Sequence, residues 1–163
     1  INSGNGAVDG GDDKPKPSTI PISTIITSSG YRYTSKYISN IAVGTDVSNV
    51  KSAIEAVGGN ATVAIFDAKG NAKTSGLIAT GDKVSINNQS ETEVLEVIIK
   101  GDTSGDGVIN ALDLLQVQKN ILGTYTLTGA YLEAADTSKD GVVNALDLLQ
   151  VQKNILGTFE IEQ

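Results

Sequence analysis

The stretch DTSGDGVINALDLLQVQKNILGT occupies residues 102–124 and DTSKDGVVNALDLLQVQKNILGT occupies residues 136–158; only Gly105/Lys139 and Ile109/Val143 differ. A stable core asks only for similar volume and hydrophobicity, so near-identity over this length needs a further cause. Each copy opens D-x-S-x-D-G-x-x-N-x-x-D, with oxygen-bearing side chains at the first, third, fifth, ninth and twelfth places and glycine at the sixth. This is the spacing by which a loop wraps calcium: alternate side chains point inward, glycine allows the sharp turn, and the seventh residue gives its carbonyl. The expected ligands are Asp102, Ser104, Asp106, the carbonyl of Val108, Asn110 and Asp113. In the second loop they are Asp136, Ser138, Asp140, the carbonyl of Val142, Asn144 and Asp147. Two calcium ions are therefore expected. A solvated acidic turn accounts for one Asp at a helix start, but not for spaced carboxylates repeated in register. Ser at the third place and Asp rather than Glu at the twelfth depart from the ordinary loop and predict looser coordination.

Composition narrows the remaining chemistry. The chain has 163 residues, a formal charge of −7, and no Cys, His, Met or Trp. Without Cys and His there is no disulfide framework, no usual zinc ligand and no imidazole for a nucleophilic triad, so an enzyme is not expected. The negative charge argues against nucleic acid, which needs a basic face. It is also concentrated: from Asp102 onward nine acidic residues face three lysines. No apolar run approaches the roughly 18 residues of a membrane span. A start at Ile1 is expected to mark a piece of a longer protein whose beginning, with any signal peptide, lies upstream.

Two domains are expected. Residues 1–18, rich in Gly, Asp, Lys and Pro, read as a linker that includes the stiff run KPKP. Residues 19–100 read as a β-rich module, of α+β or β-sandwich type, with strands in TIPISTIITSSG, YISNIAVG, ATVAIFDAKGNAKT, LIATGDKVSIN and EVLEVIIKG. DAKGN reads as a hairpin turn with Gly70 or Asn71 at positive φ. DVSNVKSAIEAVGG is the exception, because Val47, Val50, Ile54 and Val57 recur at helical spacing before Gly58 and Gly59. Residues 101–163 read as a small all-α unit of two EF-hand-like loop-helix repeats. Strand-like EVLEVIIKG leaves no helix ahead of Asp102, and GAYLEAA ahead of Asp136 allows at most two helical turns. Only the exit helix is expected to be complete in each repeat.

Paired loop-plus-exit-helix repeats of this kind, each ending in Leu-Gly, resemble the dockerin module of bacterial cellulosomes over residues 101 to about 160. The resemblance implies an extracellular protein that binds a cohesin domain on a scaffoldin or a cell-surface anchoring protein. A β-rich module directly before a dockerin resembles the X-module arrangement of scaffoldins and some enzymes, and this likeness rests on placement. Around the helix after Asp113, Leu115, Val117, Ile121 and Leu122 fall on one apolar arc with Leu114, the expected core face. Leu112, Gln116 and Lys119 fall on the opposite stripe, repeated as Leu146, Gln150 and Lys153, with Asn120 also expected at the surface. Ala111 and Ala145 stand where the resemblance places residues that select the cohesin. Approximate two-fold packing, also implied by it, puts Ala145, Leu146, Leu149 and Lys153 where Ala111, Leu112, Leu115 and Lys119 had been, so two docking orientations are expected.

Two other functions compete. Tyr31, Tyr33 and Tyr37 could stack on sugar rings, which makes a calcium-stabilised carbohydrate-binding module the alternative; strand alternation of Tyr31 and Tyr33 argues instead for a packed β face. An intracellular calcium sensor is disfavoured by the missing leading helices and by the lack of the methionine that adaptable grooves use.

Overall fold

A computed structural model describes residues 19–163; the linker expected at 1–18 lies outside the described residues. Residues 22–97 build one mixed five-stranded sheet with two helices, and the later residues are helical. The chain runs α1 (Ile22–Ser28), β1 (Arg32–Tyr33), β2 (Tyr37–Ser39), α2 (Val47–Val57), β3 (Thr62–Phe66), β4 (Lys83–Asn87), β5 (Thr92–Val97), α3 (Ala111–Ile121), α4 (Gly129–Ala135) and α5 (Ala145–Ile155). Strand order is β1-β2-β5-β4-β3, all neighbours antiparallel except β2 and β5. A single sheet with helices packed on it is the α+β form of the expectation, not the sandwich.

The first predicted strand is a helix. In TIPISTIITSSG, Ile22, Ile25 and Ile26 repeat at i, i+3 and i+4, and all three are buried. Pro21, directly ahead of the helix, needs no donor there and its carbonyl accepts the Ile25 N–H at 3.0 Å. Burial of one apolar face against α2 and the sheet outweighs the strand preference of isoleucine. Ser29 Oγ ties the helix end to α2 by donating to the carbonyls of Ile25 (2.7 Å) and Ala53 (3.2 Å). The expected helix α2 forms, with Val47, Val50 and Ile54 buried. In the hairpin, Gly70 takes φ 89° while the Asp67 carboxylate accepts the Lys69 and Asn71 N–H groups.

LIATGDKVSIN is strand only from Lys83. Residues 77–82 form a loop instead, pinned at several points. Ile78 is buried in the sheet core. Asp82 Oδ2 accepts from Ala79 N (2.8 Å) and Lys73 Nζ (2.6 Å), and burial pushes its carboxyl pKa up despite the lysine. Thr80 Oγ1 donates to the Ile99 carbonyl (3.2 Å) and accepts the Ile99 N–H (3.1 Å).

The helical segment has its own apolar cluster around Val117, Val151, Leu127, Ala135 and Ile161. A third cluster, Ile98 with Ala130 and Ala134 and with Tyr37 packed on it, joins the end of β5 to α4.

Candidate functional site

Asp102 follows β5 by a few residues and is fully buried. Its Oδ1 accepts the N–H groups of Gly105 (3.0 Å) and Asp106 (3.1 Å), and Oδ2 accepts that of Gly107 (3.1 Å). The first carboxylate thus folds the loop around itself. Gly107 has φ 84°, so glycine is needed for the turn. Asp113 closes the far side: Oδ1 accepts Ser104 N–H and Oδ2 accepts Asn110 N–H, both at 2.8 Å. With Asn110 Oδ1 accepting Leu112 N–H (2.8 Å), this is the capping box of α3. Asp113 therefore holds the loop to its exit helix as well as facing the loop interior.

Asp102, Asp106 and Asp113 each offer a carboxylate oxygen within 4.8 Å of the others, the one such acidic group among the described residues. Ser104 Oγ is buried without a hydrogen-bond partner. Convergent carboxylates beside an unpaired hydroxyl are what a hard, oxygen-seeking cation satisfies, so these residues fit calcium. Burial pushes the Asp102 carboxyl pKa up, as does the nearby Asp113, whereas the Thr80, Asp106 and Gly107 N–H groups pull it down. A bound divalent cation would supply the positive counter-charge that no side chain among the described residues offers Asp102.

The second loop repeats the framework. Asp136 accepts from Asp140 N (3.2 Å) and Gly141 N (3.0 Å), and Asp147 accepts from Ser138 N (2.9 Å) and Asn144 N (2.8 Å) and caps α5. Polar side chains pair within both loops: in the first, Asn110 Nδ2 donates to Asp106 Oδ2 (3.0 Å), and in the second, Ser138 Oγ donates to Asp136 Oδ1 (3.3 Å) and Asn144 Nδ2 to the Val142 carbonyl (3.1 Å). GAYLEAA ahead of this loop forms the seven-residue helix α4, within the two turns expected of it, so a short helix leads into the second loop while none leads into the first.

Helices α3 and α5 pack on each other through Val117 and Val151. The predicted core face of α3 is corrected here. Val117 is buried and Leu114 partly so, but Leu115, Ile121 and Leu122 are exposed, and Leu149, Ile155 and Leu156 repeat the pattern. Asp113 and Val117 point inward, so the outward stripe is Leu112, Leu115, Lys119 and Leu122, spaced i, i+3, i+7 and i+10. Leu112 and Leu146 are each 48% exposed, and Leu122 and Leu156 67% and 68%. Ala111 and Ala145 are exposed beside them, while Gln116 and Gln150 are only partly so, each with a buried, unpaired Oε1. Asn120 is also corrected: its Oδ1 accepts the Leu127 N–H (2.9 Å), and Asn154 Nδ2 donates to the Phe159 carbonyl (3.1 Å). Both bind the chain that follows their helix.

The tyrosines form no common platform. Tyr31 and Tyr33 pack against the sheet core, Tyr33 donating to Glu93 Oε2 (3.0 Å), and Tyr37 packs at the junction with α4. Reading along the chain missed the residues that meet the first loop from outside, Leu77, Ile78, Thr80 and Tyr131. Thr80 N–H donates to Asp102 Oδ2 at 2.9 Å and Gly44 N–H to the Gly107 carbonyl at 3.1 Å. The unequal residues at 105 and 139 were the available signal.

Two acidic loops with a left-handed glycine turn, each capped onto a helix with an outward apolar stripe, define a paired loop-helix module, and the first brings three carboxylates close enough to hold a metal ion. Residues 100–156 match the family model of the dockerin type I domain, which supports a dockerin module over that stretch. No curated protein matches the chain. Among the described residues, no helix is long and apolar enough to cross a membrane.

Proposed function

We propose that residues 101–163 are a calcium-loaded dockerin that docks its parent protein onto a cohesin domain, in either of two orientations, and that residues 19–100 support it. The dockerin match implies calcium-dependent cohesin binding. Two ions are held by Asp102, Ser104, Asp106, the Val108 carbonyl, Asn110 and Asp113, and by Asp136, Ser138, Asp140, the Val142 carbonyl, Asn144 and Asp147. Calcium supplies positive charge that lets the carboxylates of each loop stay together while their helix is fixed in place.

The observation that carries the docking reading is the equal exposure of the two stripes, whose paired leucines match to within one per cent. Ala111, Leu112, Leu115, Gln116 and Lys119 form one face; Ala145, Leu146, Leu149, Gln150 and Lys153 form the other. Apolar anchors ringed by polar groups are the usual energetic centre of an interface. The module is non-catalytic and extracellular, and it anchors a scaffoldin or a polysaccharide-degrading enzyme in a cellulosome or on the cell surface. The preceding α+β unit plays the part of an X-module.

Capture by immobilised cohesins, in calcium and in excess chelator, with insoluble polysaccharides as a parallel panel, is the test. Cohesin capture that chelator abolishes is expected. Polysaccharide retention without any cohesin capture would overturn the reading.

A further inference from the structure

The two loops are nearly identical in sequence but do not share the same surroundings. The first is packed against the pinned loop 77–82. Beyond the hydrogen bonds from Thr80 and Gly44, a Cβ added at Gly107 would lie 2.7 Å from the Ile78 carbonyl and 2.8 Å from Leu77 Cβ; one at Gly105 would lie 2.7 Å from the Thr80 carbonyl and 3.0 Å from the Tyr131 ring. At Gly141 a Cβ would meet nothing within 4 Å, and at position 139 the second loop carries an exposed lysine at φ 61°. Asp102 is 0% exposed and Asp136 9%. Both positions at which the repeats differ belong to this asymmetry. Gly105 leaves room for the Thr80 carbonyl, and Ile109 fills the space beside Gly101, where an added Cβ would lie 2.7 Å from Ile109 Cδ1.

We infer that residues 77–82 act as a clamp that makes the first loop the tight, slowly exchanging calcium site and leaves the second as the weaker site that loads last. This rests on the calcium reading above. The physical ground is preorganisation: Thr80 N–H orients Asp102, and the packed backbone holds the glycine turns, so less ordering remains for the ion to bring about. Each loop has one asparagine hydrogen bond to give up, Asn110–Asp106 in the first and Asn144–Val142 in the second, but only the second must also break a serine bond, Ser138–Asp136, where Ser104 is unpaired.

The test uses the full chain and calcium alone. Asp140→Ala leaves the first loop intact and Asp106→Ala the second; the residual calcium site measured by calorimetry should be about tenfold tighter in Asp140→Ala. Gly105→Lys, which drives a Cβ into the Thr80 carbonyl, should bring the first loop down to the affinity of the second. Lys139→Gly should change the second loop by less than about twofold, because it adds glycine freedom but no clamp. In the unmodified chain, which carries no folding risk, the Gly107 amide resonance should reach its calcium-bound position at lower calcium than that of Gly141. Equal affinities, simultaneous loading, or a second loop that Lys139→Gly raises to the level of the first would overturn the clamp. Failure of both loops to bind calcium would instead overturn the calcium reading itself.

Discussion

Gln163 closes the helical segment on Lys100 by a two-point amide contact: Lys100 N–H donates to Gln163 Oε1 at 2.7 Å, and Gln163 Nε2 donates to the Lys100 carbonyl at 3.1 Å. The contact brings Ile161 against Gly101 and Ile109, at the mouth of the first loop. Lys100 reaches the other way, with Nζ donating to the carbonyls of Glu133 (2.6 Å) and Asp136 (2.8 Å), and burial lowers its pKa. One residue therefore ties the end of the sheet segment to α4, to the second loop and to the returning chain.

Gln163→Ala removes both amide bonds and leaves two backbone groups to find other partners. A loss of about 1–2 kcal/mol is expected, from roughly 0.5–1.5 kcal/mol for each hydrogen bond with partial replacement by water. Urea unfolding in saturating calcium measures it, and cohesin affinity should stay unchanged. An unaltered midpoint would show that Ile161 packing alone holds the returning chain.

Asn120→Ala separates a structural asparagine from a partner-facing one. Losing the acceptor for Leu127 N–H should lower stability by about 1 kcal/mol, with little change in cohesin affinity. Reduced affinity with unchanged unfolding would return Asn120 to the docking face.

How much was legible follows from which forces are local. The capped acidic turns and the helices α2, α3 and α5 read directly, because carboxylate and glycine spacing and helical periodicity are properties of short stretches. Helix α1 did not: its isoleucines suit a strand by composition, and only their burial against α2 and the sheet reveals the spacing that matters. An isolated helical wheel puts Leu115, Ile121 and Leu122 inward because it has no partner to define its inner side. Here α5 packs at Val117 and the capping Asp113 turns inward, which rotates the core face away from those leucines. Contact between Thr80 and Asp102 is beyond a linear reading, since it joins a sheet loop to an acidic loop through the tertiary fold.

Ile25→Ala tests the corrected helix. Ile25 is fully buried between α2 and the sheet, and truncation of such a side chain costs about 2–5 kcal/mol through lost burial and the cavity left behind. Ser23→Ala on the same helix, a partly exposed position, should change stability by less than about 0.5 kcal/mol. Thermal or urea unfolding of the pair reads the difference. Equal costs at 23 and 25 would place α1 outside the core.

The last prediction follows from the duplicated stripe. Leu112 and Leu146 are equally exposed, and the clamp on the first loop covers neither. If the half-turn that exchanges α3 and α5 presents the same surface, two orientations of equal energy raise the association constant about twofold, and abolishing one costs roughly RT ln 2, about 0.4 kcal/mol. Leu112→Asp alone and Leu146→Asp alone should then barely weaken cohesin binding. The double substitution should cost several kcal/mol, because each orientation loses its apolar anchor and gains a carboxylate that must be desolvated. Calorimetry on wild type, both single variants and the double variant makes the comparison, with calcium saturating so that loop occupancy is equal throughout. One silent single variant beside one that abolishes binding would mean that only one stripe docks, and the near-identity of the two repeats would then reflect recent duplication rather than selection on both faces.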